Sequence, residues 1–386
     1  MDEKIKISRG FTISAFVLMG IGVVTFIIGF LYSPAGAWGN FMVNNYYFLS
    51  LAIGASFFLA IQYITHSGWS AAFKRVPEAM MSYIPVAALF FVFLYFGMHQ
   101  LYEWTHADVL SSDELVLHKS PYLNVPFFYI RLVVYFAAWI LLIRVLRKLS
   151  LKEDEYGGLQ YFHKSEFYSK VYIFVLAITF SLATIDWIKS IDVHWFSTMF
   201  AVKNFIAAFY HGTAVIAFIV ILLNARGHFS FLNKYHIHDF ARYIFILSII
   251  WGYMWFAEFM LIWYGNIPEE TFYYYDRWHD GWKVFFYLNI IINWAIPFVV
   301  LMPVPTSRNK MVLSSVIVIL IIGQWIDLYQ QVMPGVVGER NLTLIEIGTF
   351  LGYVGLFIFI VAKSLSRASL VPKNHPYLQE SYQHHF

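Results

Sequence analysis

The chain reads ATIDWIKSIDVHWFST at residues 183–198, a charged and aromatic segment that separates two long apolar runs. Each run reaches the roughly 20 residues that an α-helix needs to cross the hydrocarbon core of a bilayer. The segment therefore predicts a tight connection between two membrane-spanning helices, and it decides the class of the fold. Ionisable side chains near membrane depth are rare and usually line a pathway or a binding site.

Similar apolar runs recur along the whole chain. Of its 386 residues, 60% are hydrophobic and 13% are charged, whereas about 25% of the residues of a soluble protein are charged. The sequence therefore predicts an all-α integral membrane protein with about ten transmembrane helices. The blocks long enough to span a membrane lie at residues 11–33, 42–64, 82–104, 124–146, 166–188, 196–223, 239–263, 284–303, 311–330 and 343–363.

The predicted organisation is a single polytopic membrane domain over residues 1–363, followed by a polar cytoplasmic tail over residues 364–386. We expect helices 2–5 and helices 6–9 to form two four-helix bundles, with helices 1 and 10 flanking them. Lysine and arginine concentrate near the N-terminus, in alternate connections and in the tail. Because these residues collect on the cytoplasmic side of a membrane, both termini are predicted to be cytoplasmic. The net charge of +3 gives no support to nucleic-acid binding.

The sequence contains no cysteine. This absence excludes iron–sulfur ligation by the chain, c-type haem attachment, disulfides and a thiol nucleophile. The run His236-Ile-His238-Asp239 has residue types that bind metals, but its position at the start of the seventh span is more typical of a helix cap. We therefore predict no catalytic residues, no metal site and no redox cofactor bound by this chain.

The sixth span carries a polar stripe. Ser197, Asn204 and His211 follow one another at intervals of seven, and Lys203 lies one position off this line. Side chains spaced by seven share one face of a helix. The stripe predicts either a hydrogen-bonded path for protons or water, or a helix–helix seam of small and polar residues. Lys203 and His211 favour the path, because each is costly in a membrane without a partner.

The seventh and eighth spans face each other with candidate pocket residues. A carboxylate, an indole and two amides at similar depths suit a flat amphipathic head group such as a quinone. The alternative is a buried glutamate that its hydrogen bonds keep neutral, since burial disfavours the charged form. The candidates for the quinone pocket are Trp255, Glu258, Asn289 and Asn293.

Further ionisable groups cluster toward the predicted outer face. Asp186 and Asp192 flank the connection between the fifth and sixth spans, and Asp327 and Glu346 lie on the last two spans. Arg131 and Lys203 are the expected counter-charges. An outer half-channel would be well supplied with titratable groups, whereas an inner half would depend on water.

Two stretches resemble a known family. DWIKSIDVHWFSTMFAVKNF at residues 186–205 and SIIWGYMWFAEFMLIWYGNIPEETFYYYDRW at residues 248–278 are similar to the membrane subunits of alternative complex III, a bacterial quinol:electron-acceptor oxidoreductase. These subunits belong to the wider NrfD-type, polysulfide-reductase-like group. The resemblance extends over essentially all ten spans, and the short loops make the chain more similar to the ActF type than to the ActC type.

The resemblance implies a subunit of the bacterial inner membrane without redox cofactors of its own. Its implied partners are a homologous membrane subunit, a periplasmic iron–sulfur subunit and haem c-bearing subunits, together with lipids and a quinone such as menaquinone. The resemblance also implies a proton route with six candidate residues. In the list that follows, the first four lie inside the two stretches. The candidates are Asp186, His194, Lys203, Glu258, His211 and Asp327.

Three functions follow as alternatives. The first is a supporting subunit that conducts protons coupled to quinol oxidation elsewhere in the complex. The second is a subunit of the same complex that binds quinol directly, with a carboxylate or histidine accepting its proton. The third is a stand-alone secondary transporter with Lys203, Glu258 and Asp327 as its ion or substrate site.

Overall fold

A computed structural model describes residues 4–279, 281–338 and 343–385 of the chain. In this part of the chain, ten helices are long and apolar enough to cross a membrane, and there are no strands. The prediction of a multi-pass, all-helical protein is therefore confirmed. The helices are α1 (Arg9–Tyr32), α2 (Pro34–Ile64), α3 (Ala71–Leu101), α4 (Val125–Tyr156), α5 (Leu159–Trp187), α6 (Met199–Ala225), α7 (Lys234–Gly265), α8 (Lys283–Leu301), α9 (Lys310–Val337) and α10 (Leu344–Leu365).

Several helices extend well beyond the predicted apolar blocks. The helix α2 begins at Pro34 and α4 continues to Tyr156, because helical hydrogen bonding does not require an apolar environment. Polar caps set their ends instead. The side chains of Asn124, Asn233 and Asn309 accept hydrogen bonds from the backbone of the first turns of α4, α7 and α9.

The helices α2 and α6 form the centre of the structure. The helix α2 packs against α3, α5, α6 and α9, and α6 packs against α2, α5, α7 and α9. Their crossing is very close, since a Cβ atom on Gly54 would lie 1.9 Å from the carbonyl oxygen of Ala208. The helices α6 to α9 are packed in sequence around one interior, which α2 closes from the side.

The helices α1 and α10 form a separate pair beside α2 and α3. At their crossing, a Cβ atom on Gly22 would lie 2.4 Å from the Cα atom of Gly352. The opposite face of α1 exposes large apolar side chains such as Val24 and Ile27, as expected for a helix that contacts lipid.

A valine at Gly22 tests this crossing. Gly22→Val should destabilise the protein by about 1–3 kcal/mol, because overpacking forces backbones apart, and it should lower the melting temperature in detergent. Gly20→Val is the matched control in the same helix, since nothing lies within 4 Å of a Cβ atom at Gly20. Equal melting temperatures for the two variants would contradict the close crossing.

The C-terminal segment is packed against the helix ends rather than extended away from them. Ser381 Oγ donates a hydrogen bond of 2.8 Å to the carbonyl of Trp69, between α2 and α3. The carbonyl of Ser381 lies 2.9 Å from Nε2 of His236, and His384 Nε2 lies 2.6 Å from a carboxylate oxygen of Asp239. The tail therefore lies at the same end of the bundle as the α2–α3 connection and the start of α7.

The docking of this tail should depend on pH through His375. Burial, together with the nearby cation of Lys74, lowers the pKa of His375 to about 2. A released tail would have an ordinary histidine pKa of about 6.5. The released state therefore binds more protons below about pH 6.5, so docking is strongest above that pH and weakens as the pH falls.

Limited proteolysis of the tail at several pH values measures this effect. Below about pH 6.5 the fraction of released tail should rise by up to about tenfold per pH unit. The variant His375→Gln cannot gain this proton and should lose the acid response. An identical acid response in both proteins would show that another group controls the tail.

Candidate functional site

The interior between α6, α7, α8 and α9 contains a continuous set of buried polar side chains. Asp327 of α9 is 3% exposed and accepts two hydrogen bonds. Asn289 Nδ2 donates to Asp327 Oδ1 at 2.8 Å, and Gln331 Nε2 donates to Asp327 Oδ2 at 2.9 Å. Since Gln331 lies one helical turn beyond Asp327, it shares the same face of α9.

Amide side chains extend this network along α8. Asn293 Nδ2 donates to Asn289 Oδ1 at 2.6 Å, and Gln324 Nε2 donates to Asn293 Oδ1 at 3.0 Å. Here α8 contains a π-helical turn at Ile291–Ala295, and such turns are frequent at functional sites. Four residues beyond Asn293, Pro297 has no N–H for its carbonyl, and this carbonyl accepts a hydrogen bond from Tyr210 of α6 at 3.0 Å.

A charged pair lies next to this network. Lys203 Nζ of α6 is 3.6 Å from Glu258 Oε2 of α7, and the two residues are 3% and 1% exposed. Ser197 Oγ donates to Glu258 Oε1 at 2.5 Å, and the hydroxyl of Tyr274 donates to Glu258 Oε2 at 3.3 Å. Burial and the Glu258 carboxylate raise the pKa of Tyr274 well above its usual value, which keeps this donor protonated.

Trp255 and Phe286 form the apolar wall beside this pair. Their ring centroids are 5.2 Å apart in an edge-to-face arrangement, and the ring of Phe259 stacks parallel to Trp255 at 5.7 Å. Such aromatic packing holds the neighbouring side chains in fixed positions. Trp255 therefore lines the cavity beside Lys203 and contributes an apolar wall to the site.

Arg277 closes the end of the site that lies at the α7–α8 connection. It follows the short helix Pro268–Asp276 and is 3% exposed. Its guanidinium donates to Asp192 Oδ2 at 2.8 Å and to the carbonyls of Gln330 and Gln331, and it stacks on the ring of Tyr273. Sequence analysis did not assign Arg277 to the site, although a lone arginine in a largely acidic loop is a signal for it.

Two small cavities meet at Asp327. A cavity of about 20 Å³ borders Lys203, Arg277, Asn289 and Asp327, and a second of about 10 Å³ borders Ser50, His211, Gln324 and Asp327. A cavity needs roughly 10–15 Å³ to hold one water molecule. Each cavity therefore has room for about one water, and Asp327 is adjacent to both.

His211 lies at the far side of the second cavity. Its Nε2 is 3.1 Å from Ser50 Oγ of α2, and its ring stacks parallel to Tyr47 with the centroids 5.2 Å apart. The other ring nitrogen, Nδ1, is buried and has no hydrogen-bond partner among the described residues. The polar interior thus extends from Glu258 through Asp327 to His211.

Asp186 is separate from this network. Arg131 of α4 donates to it through Nε at 2.8 Å and through Nη2 at 3.2 Å, and Tyr135 donates at 3.0 Å. The guanidinium of Arg131 also lies over the ring of Tyr122 at 3.9 Å. Asp186 therefore has a complete set of partners between α4 and α5 and does not border the two cavities.

His194 and Glu346 are also outside the network. His194 is largely exposed and lies 3.0 Å from Asp113 in the α3–α4 connection. Glu346 accepts hydrogen bonds from Asn40 at 3.0 Å and from the backbone of Thr343 at 2.6 Å. Glu346 also forms the capping box of α10 with Thr343. These contacts give it a structural role.

The connection between α5 and α6 is more irregular than the tight connection that its sequence predicts. The helix α5 ends at Trp187, a single 3₁₀ turn covers Lys189–Ile191, and α6 begins at Met199. This arrangement directs Asp192 toward Arg277 and Ser197 toward Glu258. Asp192 and Ser197 therefore contact the polar interior, whereas Asp186 and His194 contact other partners.

The arrangement can hold and relay protons. The carboxylates of Glu258 and Asp327, the ammonium group of Lys203 and the imidazole of His211 lie around this interior. Amides donate hydrogen bonds to Asp327, and two water-sized spaces border it. Comparison with known proteins adds no identification, since the chain matches no protein-family model and no curated protein. The chemistry of the site therefore rests on its own geometry.

Proposed function

We propose that this chain is an integral membrane subunit of a quinol-oxidising respiratory complex of the alternative complex III type, and that it conducts protons coupled to that reaction. The proton role is supported by the polar chain from Glu258 through Asp327 to His211, with its two water-sized cavities. The respiratory complex is inferred from the resemblance of residues 186–205 and 248–278 to that family.

The proposed partners carry the redox groups. Because the chain has no cysteine, iron–sulfur clusters and c-type haem must be bound by other subunits. We place the chain in the bacterial inner membrane with both termini cytoplasmic, beside a homologous membrane subunit and periplasmic cofactor subunits. The concentration of lysine and arginine at one end of the bundle supports this orientation.

Proton movement in this proposal uses the side chains in sequence. A proton enters at Glu258, where Ser197 and Tyr274 donate hydrogen bonds to the carboxylate. Lys203 and Tyr274, which contact that carboxylate, border the first cavity together with Asp327. Asp327 and His211 border the second cavity, so water in the two cavities would continue the route. The amides of Asn289 and Asn293 hold the Asp327 side chain in place between the two cavities.

The identity of the neighbouring subunits tests the complex. A preparation solubilised in mild detergent should contain haem c and iron–sulfur proteins in fixed ratio to this chain, measured by mass spectrometry and visible absorption. A chain that purifies alone and moves a solute into liposomes would instead be a secondary transporter, and the proposal would fail.

Direct quinol binding is a second candidate, supported by a larger groove. The cavity beside Trp255 and Asn289 holds about one water, which is too small for a quinone ring. An open groove of about 470 Å³ lies nearby and is lined by Phe259, Trp263, Trp278 and Tyr274, and the last of these borders both spaces. A photo-reactive quinone analogue should label this groove if quinol is oxidised there, with Tyr274 leading to Glu258.

A further inference from the structure

An open groove separates α4 and α5 at the end of the bundle where the tail is docked. Its volume is about 720 Å³. Two glycines with positive φ, Gly157 at 68° and Gly158 at 80°, make the turn that brings the two helices together there. The residues that line the groove are Val145, Lys148, Leu149, Lys152, Gln160, His163, Lys164, Phe167 and Tyr168.

The two walls of the groove each carry a regular helical face. On α4, Val145, Lys148 and Lys152 are separated by three and four residues, and on α5, Lys164 and Tyr168 are separated by four. Such spacings place side chains on one side of a helix. The groove is therefore built from two facing stripes, with cations on both walls.

The three lysines that line the groove have no anionic partner in the described structure. Among the described residues, Lys148, Lys152 and Lys164 form no ion pair and no hydrogen bond. Like charges that face each other across a groove repel unless an anion lies between them. An anionic ligand is thus the expected occupant.

The nearby carboxylates have partners other than the three lysines of the groove. Glu153 of α4 is fully buried and pairs with Lys74 at 2.7 Å on the opposite side of the helix. Asp154 pairs with Arg75 and accepts a hydrogen bond of 3.0 Å from the backbone of Lys373 in the tail. Glu155 is exposed but does not line the groove, and Glu166 of α5 pairs with Lys170 and with His163 of the groove wall. None of these carboxylates pairs with Lys148, Lys152 or Lys164, so the groove retains their positive charge.

The groove lies at the depth of lipid head groups. The apolar blocks of α4 and α5 end near residues 146 and 166, so the lysines lie just outside the hydrocarbon core. Phe167 is 61% exposed at the apolar edge of the groove. Lysine stems cover apolar surface while their ammonium groups reach the interface. The groove is therefore apolar at one edge and cationic at the other. These two edges match the acyl chains and the anionic head group of a phospholipid.

We propose that the α4–α5 groove binds the head group of an anionic phospholipid, with its phosphate between Lys148 and Lys152 on one wall and Lys164 on the other. Basic pockets between transmembrane helices bind the head groups of such lipids. Because cations line both walls, a lipid with two phosphates, such as cardiolipin, fits the groove better than one with a single phosphate.

Native mass spectrometry of the protein from nanodiscs tests this site. The nanodiscs contain phosphatidylcholine mixed with phosphatidylglycerol or with cardiolipin at equal total charge. The triple variant Lys148→Gln, Lys152→Gln, Lys164→Gln should retain anionic lipid about tenfold less than the unmodified protein, since each lysine near the surface contributes to lipid attraction. The corresponding triple arginine variant should retain it.

A matched control removes equal charge outside the groove at the same end of the bundle. Arg226→Gln, Lys363→Gln, Arg367→Gln affects exposed residues that do not line the groove, and it should keep the bound lipid. Equal loss of bound lipid in both triple variants would show that the basic end of the bundle attracts anionic lipid without a specific site. That result would overturn the proposal. Retention in the groove variant, displacement of the lipid by inorganic phosphate, or an acidic protein segment cross-linked in the groove would each overturn it as well.

Discussion

Replacing Glu258 with glutamine should lower proton uptake per transferred electron by at least about tenfold, because proton transfer by a positioned side chain contributes roughly 10²–10⁴-fold. Glutamine keeps the size of the side chain but cannot take up or release a proton. It also leaves Lys203, now 3.6 Å from Glu258, without a carboxylate. The measurement is proton uptake by the intact complex in liposomes with a pH-sensitive dye, at a known rate of electron transfer.

Glu346→Gln is the matched control for this prediction. Glu346 is also a buried glutamate, at 5% exposed, but its partners are Asn40 and the cap of α10 rather than the polar chain. The variant should assemble and keep the proton-to-electron ratio of the unmodified complex. A normal ratio in Glu258→Gln would remove this residue from the path, and a loss in both variants would indicate a general structural defect.

Replacing Arg131 with leucine should have the largest effect on stability. The change leaves Asp186, which is 1% exposed, without its counter-charge and with a single hydroxyl donor from Tyr135. Removing one partner of a buried ion pair costs roughly 3–5 kcal/mol. Thermal unfolding in detergent, followed by tryptophan fluorescence, should therefore show a marked decrease in melting temperature.

The double variant Arg131→Leu, Asp186→Leu separates charge from packing. Replacing both members of a buried pair by apolar residues is often neutral, so the double variant should recover most of the lost stability. Arg144→Leu, an exposed change on the same helix, should alter stability by less than about 0.5 kcal/mol. A double variant as unstable as the single one would show that the guanidinium acts by packing on Tyr122 instead.

Part of the site could be predicted because it follows helical periodicity. Ser248, Trp251, Trp255 and Glu258 share one face of α7, and all four are buried as the spacing predicts. The same reasoning places Asn289 and Asn293 on the inner face of α8. Polar side chains of a membrane helix face other helices because lipid cannot satisfy their hydrogen bonds.

The partners of these residues could not be predicted in the same way. Asp186 pairs with Arg131, 55 positions away, and that contact depends on how α4 and α5 are rotated about their axes. Arg277 reaches Asp192 because a short loop helix folds over the bundle, and loop geometry leaves little signal in hydropathy. His194 lies within residues 186–205, yet its side chain contacts Asp113 in the α3–α4 connection rather than the polar interior.

The class of this protein follows from its amino-acid sequence, since a bilayer requires about twenty apolar residues per crossing and full hydrogen bonding of the backbone. The sequence also determined which faces of α7 and α8 are polar, because helical period assigns each side chain to a face. The contacts between helices, in contrast, place Glu258, Asp327 and His211 around one polar interior and Asp186 outside it. Depth and helix rotation, which set these contacts, arise from packing between elements that are distant in the chain.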